Sequence, residues 1–226
     1  VDERMTAFIN SLDTGNTPFL TELEVKALED HVPIIRREMQ SFLKVLLQMQ
    51  RPVNILEVGT AVGFSTLLFC EYAPKEAKIT TIEKYEKRIP IAKENFRKAG
   101  KESQIRFLEG DATEILAELE GSYDFIFMDA AKGQYIHFLP EVLRLLRDGG
   151  VLISDNVLQD GDVIESRFAV ERRNRTIHKR MREYLYTLKH HPNLLTSIIP
   201  LGDGITVSVK QEMLQKKERQ EKEVQR

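Results

Sequence analysis

Two apolar runs of the chain each end in side chains that could hold a metal ion. The first run ends in Asp129, and the second ends in Asp155, which Asn156 follows directly. Three oxygen ligands without histidine or cysteine suit a hard cation such as Mg²⁺. Lys132 stands three residues beyond Asp129, where it could take a proton from an acceptor bound to that cation or steady its oxyanion. Asp and Asn also serve as turn and cap residues, so the metal hypothesis requires strands that bring these residues together.

A second group of residues has the spacing of a nucleoside site. After an earlier apolar run, residues 57–65 read Glu-Val-Gly-Thr-Ala-Val-Gly-Phe-Ser, and Gly59 and Gly63 permit a tight turn into a helix N-terminus. The spacing is G-x-x-x-G rather than G-x-G-x-x-G, which disfavours a nicotinamide dehydrogenase. Glu83 ends the next apolar run, where its carboxylate could accept hydrogen bonds from two ribose hydroxyls or simply cap the next helix.

The alternation of apolar runs with helical stretches predicts how these residues meet. The runs are apolar at consecutive positions, as in strands buried on both faces of a parallel sheet, and cover residues 53–58, 79–83, 105–108, 125–129 and 151–155. The helical stretches between them cover residues 64–72, 84–99, 112–119 and 135–146. An open α/β sheet binds ligands at the carboxyl ends of its strands. We therefore expect all these residues at one end of the sheet, with Asp111 and Ala112 placed to meet an adenine edge.

The flanks of this core complete the predicted fold. Residues 194–199 and 205–210 enclose a Pro-Leu-Gly-Asp-Gly turn, which predicts an antiparallel hairpin at the far edge of the sheet. Apolar residues repeat at helical spacing over residues 39–47, before the first strand. We predict one α/β domain over residues 1–226, made of a helical segment (1–50), an α/β core (51–210) and a charged tail (211–226) that forms a solvated or fraying helix.

The stretch at 57–65 resembles the first motif of class I S-adenosylmethionine methyltransferases. With Asp-Ala-Ala-Lys at 129–132 and Asp-Asn at 155–156, the chain is most similar to the metal-dependent catechol and caffeoyl-CoA O-methyltransferases over about residues 30–210. The resemblance implies a Rossmann-like fold, with a seven-stranded, mostly parallel sheet, a reversed last strand and helices on both faces. It also implies a homodimer.

The resemblance further implies the role of each candidate residue. The glycine loop would face the methionine part of S-adenosylmethionine, Ser65 would hold its carboxylate, and Glu83 would bind its ribose. The whole cofactor set would be Glu57, Gly59, Ser65, Glu83, Asp111, Ala112 and Asp129. Asp129, Asp155 and Asn156 would bind Mg²⁺, and Lys132 would act as general base. The ion would chelate two adjacent oxygens of the acceptor and lower the pKa of its hydroxyl, so that the oxyanion attacks the methyl group in line.

A basic segment follows the metal candidates. Seven basic residues and one acid lie between Arg167 and Arg182, in a loop and then on the exposed side of a predicted helix. A basic rim suits a phosphate-bearing substrate, whereas a solvated helix or a dimer contact would explain the same charges. The candidate RNA contacts are Arg172, Arg173, Arg175, Lys179 and Arg180, of which the first three are expected in the loop.

Together with Val-Pro-Ile-Ile at 32–35, these motifs resemble one branch of the family, the bacterial tRNA 5-hydroxyuridine O-methyltransferases. That branch would methylate the wobble uridine of the tRNA anticodon loop to 5-methoxyuridine. The chemistry is consistent, because 5-hydroxyuridine presents two adjacent oxygens as a catechol does, and an anticodon loop exposes its bases. Two alternatives stay open: methylation of small catechol-like or caffeoyl-CoA-like phenols, and a non-catalytic regulatory protein that binds S-adenosylmethionine.

The composition limits the partners and the compartment. The net charge of −2, from 33 basic and 35 acidic residues, gives no global field that attracts nucleic acid, so RNA would need the local basic segment and no DNA partner is expected. The single cysteine, Cys70, excludes an internal disulfide. No apolar run is long enough to cross a bilayer and the first residues are charged, so we expect a cytoplasmic protein without a membrane partner.

Overall fold

The computed structural model describes residues 3–166 and 168–211. Its strands are β1 (Asn54–Val58), β2 (Lys78–Glu83), β3 (Ile105–Glu109), β4 (Tyr123–Met128), β5 (Leu146–Ser154), β6 (Leu194–Ile199) and β7 (Ile205–Lys210). Its α-helices are α1 (Glu3–Ser11), α2 (Pro18–Glu29), α3 (Arg37–Gln50), α4 (Phe64–Tyr72), α5 (Ile89–Lys98), α6 (Ala112–Glu118), α7 (Tyr135–Leu145) and α8 (Arg175–His190). Apart from Gln211, the predicted tail lies outside the described residues.

The seven strands form one sheet in the order β3-β2-β1-β4-β5-β7-β6. Strands β1 to β5 are parallel, and β7 runs antiparallel to both of its neighbours, β5 and β6. This arrangement confirms the mostly parallel sheet and the antiparallel hairpin at its edge. The reversed strand is β7, and β6 is the edge strand itself.

Each face of the sheet carries its own layer of helices. One face packs against apolar side chains of α2, α3, α4 and α5, with Phe69 of α4 making edge contacts to Phe125 and Phe127 of β4. The other face packs against α6, α7 and α8. Burial on both faces explains why the central strands are apolar at consecutive positions. Within the described part of the chain, no helix is long and apolar enough to cross a membrane.

Backbone pairing continues one residue beyond the central strands. Asp129 N–H donates to the Val58 carbonyl (3.0 Å), and Asp155 N–H donates to the Met128 carbonyl (2.9 Å). The Gly59 N–H likewise donates to the Ile82 carbonyl of β2 (3.1 Å). The residues that end three adjacent strands are therefore fixed side by side, as the sequence predicts.

Several predicted boundaries are wrong, among them the starts of α5, β5 and α8. Helix α5 begins at Ile89 rather than at residue 84, because the N–H groups of Lys84 and Tyr85 donate to the Glu83 carboxylate and form a turn. Strand β5 begins at Leu146 rather than at residue 151. Arg175 is the first residue of α8 rather than part of the preceding loop, and its guanidinium donates to the Val170 carbonyl.

Candidate active site

A cavity of about 570 Å³ lies at the carboxyl ends of the parallel strands. Its walls come from the glycine loop, the strand ends, the connection between α2 and α3, and the turn between β6 and β7. Most of the predicted site residues line it: Gly59, Ser65, Glu83, Asp111, Ala112, Asp129, Lys132, Asp155 and Asn156. Glu57 and the five predicted RNA contacts do not.

The glycine loop passes so close to β4 that it leaves no room for a side chain. Gly59 has φ +105°, and a Cβ on it would overlap the backbone carbonyl of Asp129. Gly63 has φ +87°, and a Cβ on it would clash with the ring of Phe96. Helix α4 then begins at the cavity wall without a side-chain cap, so its free N–H groups favour an anion such as a carboxylate.

Glu57 supports the loop from beneath, away from the cavity surface. Its fully buried carboxylate accepts hydrogen bonds from the hydroxyl groups of Ser65, Thr66 and Thr81. In this structure Glu57 therefore lies outside the cavity lining, and its predicted contact with the cofactor stays a prediction. Ser65 lines the cavity, but its hydroxyl proton is engaged by Glu57 and would have to turn to reach a bound carboxylate.

The buried position of Glu57 predicts a pH-dependent stability. Burial raises its pKa from 4.5 to about 7, although the three hydroxyl donors oppose the shift. Because the folded state holds this proton more tightly than the unfolded state, the free energy of unfolding falls as pH rises from about 4.5 to 7, by about 3 kcal/mol from this group. We expect the free energy of unfolding, measured by urea titration, to fall less between pH 5 and pH 8 in E57Q than in the wild type. The exposed control E120Q should behave as the wild type does; equal losses in all three proteins would contradict the assignment.

Glu83 both closes a turn and faces the cavity. One oxygen accepts from the Ala61 N–H (2.8 Å), and the other accepts from Lys84 and Tyr85 N–H (3.0 and 2.8 Å). A carboxylate has about four acceptor positions and these three N–H groups fill three of them, so about one remains for a ribose hydroxyl. The capping interpretation and the ribose interpretation are thus compatible.

Asp111 occupies the cap position of α6 at the cavity wall. It accepts from the Thr113 N–H (2.8 Å), which holds the pKa of Asp111 below its ordinary value, and Lys84 adds to this effect. Ala112 follows it in the cavity lining. This corner of the cavity is therefore polar and structurally fixed next to Glu83, where a nucleoside would extend from its ribose.

Asn156 contacts both Asp129 and Asp155. The Asn156 side-chain amide donates to Asp129 (3.1 Å), and its backbone N–H donates to Asp155 (2.8 Å). Asn156 has φ +59°, a left-handed conformation that asparagine tolerates better than most residues. Burial raises the pKa of Asp155 to about 7, with the charge of Asp129 adding to it. Burial also raises the pKa of Asp129, against the hydrogen bond from Asn156 and the charge of Lys132.

Two supporting contacts of the site were not predicted from the sequence. The buried hydroxyl of Tyr135 lies 3.1 Å from the carbonyls of both Met128 and Asp155, which ties the ends of β4 and β5 together. Asp203, in the β6–β7 turn, forms an ion pair with Arg36 (2.7 Å) at the cavity wall. In the sequence, the two glycines around Asp203 predict a turn but not its ion pair.

The basic segment lies beside the cavity rather than inside it. Arg180 reaches back to donate to the Gly133 carbonyl (3.0 Å), one residue after Lys132. Arg172 and Lys179 are exposed, and Arg173 pairs with the exposed Glu171. Helix α8 thus borders the turn that carries Lys132 and presents positive charge there.

Solved structures share this architecture. A putative caffeoyl-CoA O-methyltransferase from Staphylococcus aureus matches with a TM-score of 0.84 and 33% identity, covering 92% of this chain and 100% of that one. A methyltransferase from Podospora anserina, solved with S-adenosylhomocysteine, matches with a TM-score of 0.83 and 26% identity, covering 92% and 94%. The fold is that of a Rossmann-like methyltransferase.

Sequence comparisons give the family. The model of the O-methyltransferase family matches residues 11–211. A catechol O-methyltransferase from Niastella koreensis is 32% identical over 168 residues, which cover 73% of this chain and 70% of that protein. The chain belongs to the O-methyltransferase family, and it is an S-adenosylmethionine-dependent enzyme.

Proposed function

We propose that this enzyme transfers the methyl group to one of two adjacent oxygens of its acceptor, in a site that binds a divalent cation such as Mg²⁺. The observation that carries the proposal is the cluster of Asp129, Asp155 and Asn156 at the wall of the cofactor cavity. The glycine loop and Glu83 would hold the cofactor, and Asp111 and Ala112 would meet its adenine edge.

The residues present fit such a cation. Two carboxylates and an amide side chain offer the oxygen ligands that Mg²⁺ prefers. The two carboxylates are buried close enough for the charge of Asp129 to raise the pKa of Asp155, and a cation between them would offset that repulsion. When bound, the cation would lower the pKa of an acceptor hydroxyl.

Lys132 would accept the hydroxyl proton when its Nζ is a neutral amine, or steady the oxyanion when it is an ammonium. It begins a short 3₁₀ turn, lines the cavity, and its charge already acts on both Asp129 and Asp155. The buried Tyr135 hydroxyl bridges the two strand ends, and this would help to keep the acceptor oxygen and the methyl group in line. Such positioning accounts for much of the rate of a methyl transfer.

The named relatives support an acceptor with adjacent phenolic hydroxyls. One relative is named as a catechol O-methyltransferase, and a structural match as a putative caffeoyl-CoA O-methyltransferase. A phenol of either type would present its two oxygens to the cation cluster. The basic segment beside Lys132 would favour the phosphate-bearing coenzyme A ester over a free catechol.

The basic segment also supports a second candidate, 5-hydroxyuridine in the anticodon loop of tRNA. Its two adjacent oxygens offer the same chelate, and the RNA backbone would place phosphates along the segment that holds Arg172, Arg173 and Lys179. The homodimer implied by the family resemblance stays a prediction.

One assay tests the proposal and separates the acceptors. Labelled S-adenosylmethionine is offered with hypomodified bulk tRNA, caffeoyl-CoA or a catechol, each with Mg²⁺ and each with EDTA. The proposal predicts transfer to at least one acceptor, lost with EDTA and restored by Mg²⁺. Label in tRNA alone would select the second candidate. Transfer that proceeds equally in EDTA would contradict the proposed cation site.

The tRNA candidate makes its own prediction. Replacing Arg172 and Arg173 by glutamate should lower kcat/KM for tRNA by about tenfold or more, because phosphate contacts supply much of the affinity for RNA. Affinity for S-adenosylhomocysteine should not change, since neither residue lines the cavity. Lys75→Glu, at the opposite end of the sheet, is the charge control. Unchanged tRNA methylation in the double variant would remove the tRNA candidate.

A further inference from the structure

A second cavity of about 330 Å³ lies behind the cofactor loop, between the end of α2 and the start of α5. Its inner wall is apolar, with Leu23 and Ala27 of α2 facing Val62 of the loop. Tyr85 and Ile91 stand at its rim with 48% and 42% of their surface exposed. Exposed apolar side chains around a cavity are typical of a binding site for a molecule with an apolar or aromatic part.

The same cavity carries an excess of positive charge. Lys26, Lys87 and Arg88 line it, and Asp30 is the only acid among its lining residues. In the described part of the chain, none of these three cations has an ion pair with a carboxylate. Three cations against one acid leave the lining with a net positive charge, which favours an anionic ligand.

The start of α5 adds to this preference. The helix begins at Ile89, and Arg88 at its cap position provides no side-chain hydrogen bond to the first turn. The positive end of the helix dipole attracts phosphate groups there, while the Ile89 N–H is already donated to the Tyr85 carbonyl and Pro90 has no N–H to offer. The Arg88 guanidinium also lies over the Tyr85 ring, 5.3 Å from its centre, which places the ring and the charge side by side at the rim.

The second cavity is joined to the cofactor site by direct contacts. Val62 belongs to the loop between Gly59 and Gly63, and the Asn95 side chain, which also lines the cavity, donates to its carbonyl (2.8 Å). Arg88 lines both cavities. A ligand here would therefore lie against the outer side of the loop that holds the cofactor.

We propose that the second cavity binds a nucleotide, with its base against Tyr85 and the apolar wall and its phosphate at Lys26, Lys87 and the start of α5. The ligand is either a free mononucleotide or one nucleotide of an RNA chain, since both present a planar ring next to a phosphate. The site lies outside the cofactor cavity, so the proposal stands independently of the acceptor assigned above.

The test uses uridine 5′-monophosphate and the full chain saturated with S-adenosylhomocysteine, so that the main cavity is filled. Calorimetry should show saturable binding to the wild type. Replacing Lys26 and Lys87 by glutamine should weaken that binding by about tenfold or more, with unchanged melting temperature and affinity for S-adenosylhomocysteine. Replacing two exposed lysines outside the cavity, Lys75 and Lys98, by glutamine should leave the binding as in the wild type.

A competition arm identifies the source of the nucleotide. Displacement of uridine monophosphate by an anticodon stem-loop would support an RNA nucleotide, whereas binding that the RNA does not displace would support a free nucleotide. Absence of saturable binding to the wild type would overturn the proposal, and so would equal affinity in the Lys26/Lys87 variant.

Discussion

Asp155→Ala should slow methyl transfer by about a thousandfold. Removing one of two carboxylates from the proposed cation site would forfeit several kcal/mol of transition-state stabilisation, and each 1.36 kcal/mol is tenfold in rate. Affinity for S-adenosylhomocysteine should change little, because the glycine loop, Glu83 and the α4 N-terminus remain intact. Single-turnover rates with saturating cofactor, together with calorimetric binding of S-adenosylhomocysteine, measure both quantities.

The matched control for this substitution is Asp148→Ala. Asp148 lies on the same strand, β5, but is about half exposed and outside the cavity, so its removal should leave the rate within about twofold. A variant Asp155→Ala that keeps the wild-type rate would show that the carboxylate cluster does not take part in the reaction. Equal losses of rate and of cofactor affinity would instead mark a general disruption of the cavity.

Gly59→Ala should destabilise the fold and abolish cofactor binding together. The alanine Cβ would overlap the Asp129 carbonyl, so the loop, the end of β4 or both must move, and both are walls of the cofactor cavity. We expect the affinity for S-adenosylhomocysteine to fall by more than about a hundredfold. We also expect the loss of unfolding free energy to be at least about 2 kcal/mol larger than in the control variant Gly121→Ala. Urea titration and calorimetry give the two numbers.

Gly121→Ala is a control matched in backbone conformation. Gly121 has φ +116°, close to that of Gly59, but a Cβ there would meet nothing within 4 Å. It should therefore show only the conformational cost, about 1–3 kcal/mol, with normal cofactor affinity. If the two variants behave alike, the close approach of the loop to β4 has no role in cofactor binding.

The sequence predicts the core of this fold because its signals are local. Strands buried on both faces must be apolar at consecutive positions, so β1, β4 and β5 are visible as short Val-, Ile- and Phe-rich runs. Asp129 and Asp155 come directly after two of those runs, and parallel pairing alone brings them together. The metal candidates are therefore juxtaposed as predicted, while the binding of an ion stays a prediction.

The contacts that were missed join residues distant in sequence. Glu57 receives a hydrogen bond from Thr81 of the next strand, and no local pattern distinguishes that buried carboxylate from one that faces a ligand. Tyr135 sits on the buried face of α7, where a tyrosine is indistinguishable from any apolar residue until its hydroxyl is seen between two strand ends. The pairing of Arg36 with Asp203 likewise depends on the tertiary fold.

The proposed cation site can be tested by locating a divalent ion in crystals grown with Mn²⁺ and S-adenosylhomocysteine. Mn²⁺ serves as the probe because its anomalous scattering identifies it. We expect an anomalous peak at coordination distances of about 2.0–2.6 Å from oxygens of Asp129, Asp155 and Asn156, next to the cofactor sulfur. A cofactor-bound crystal with no peak at these three side chains would contradict the proposed site.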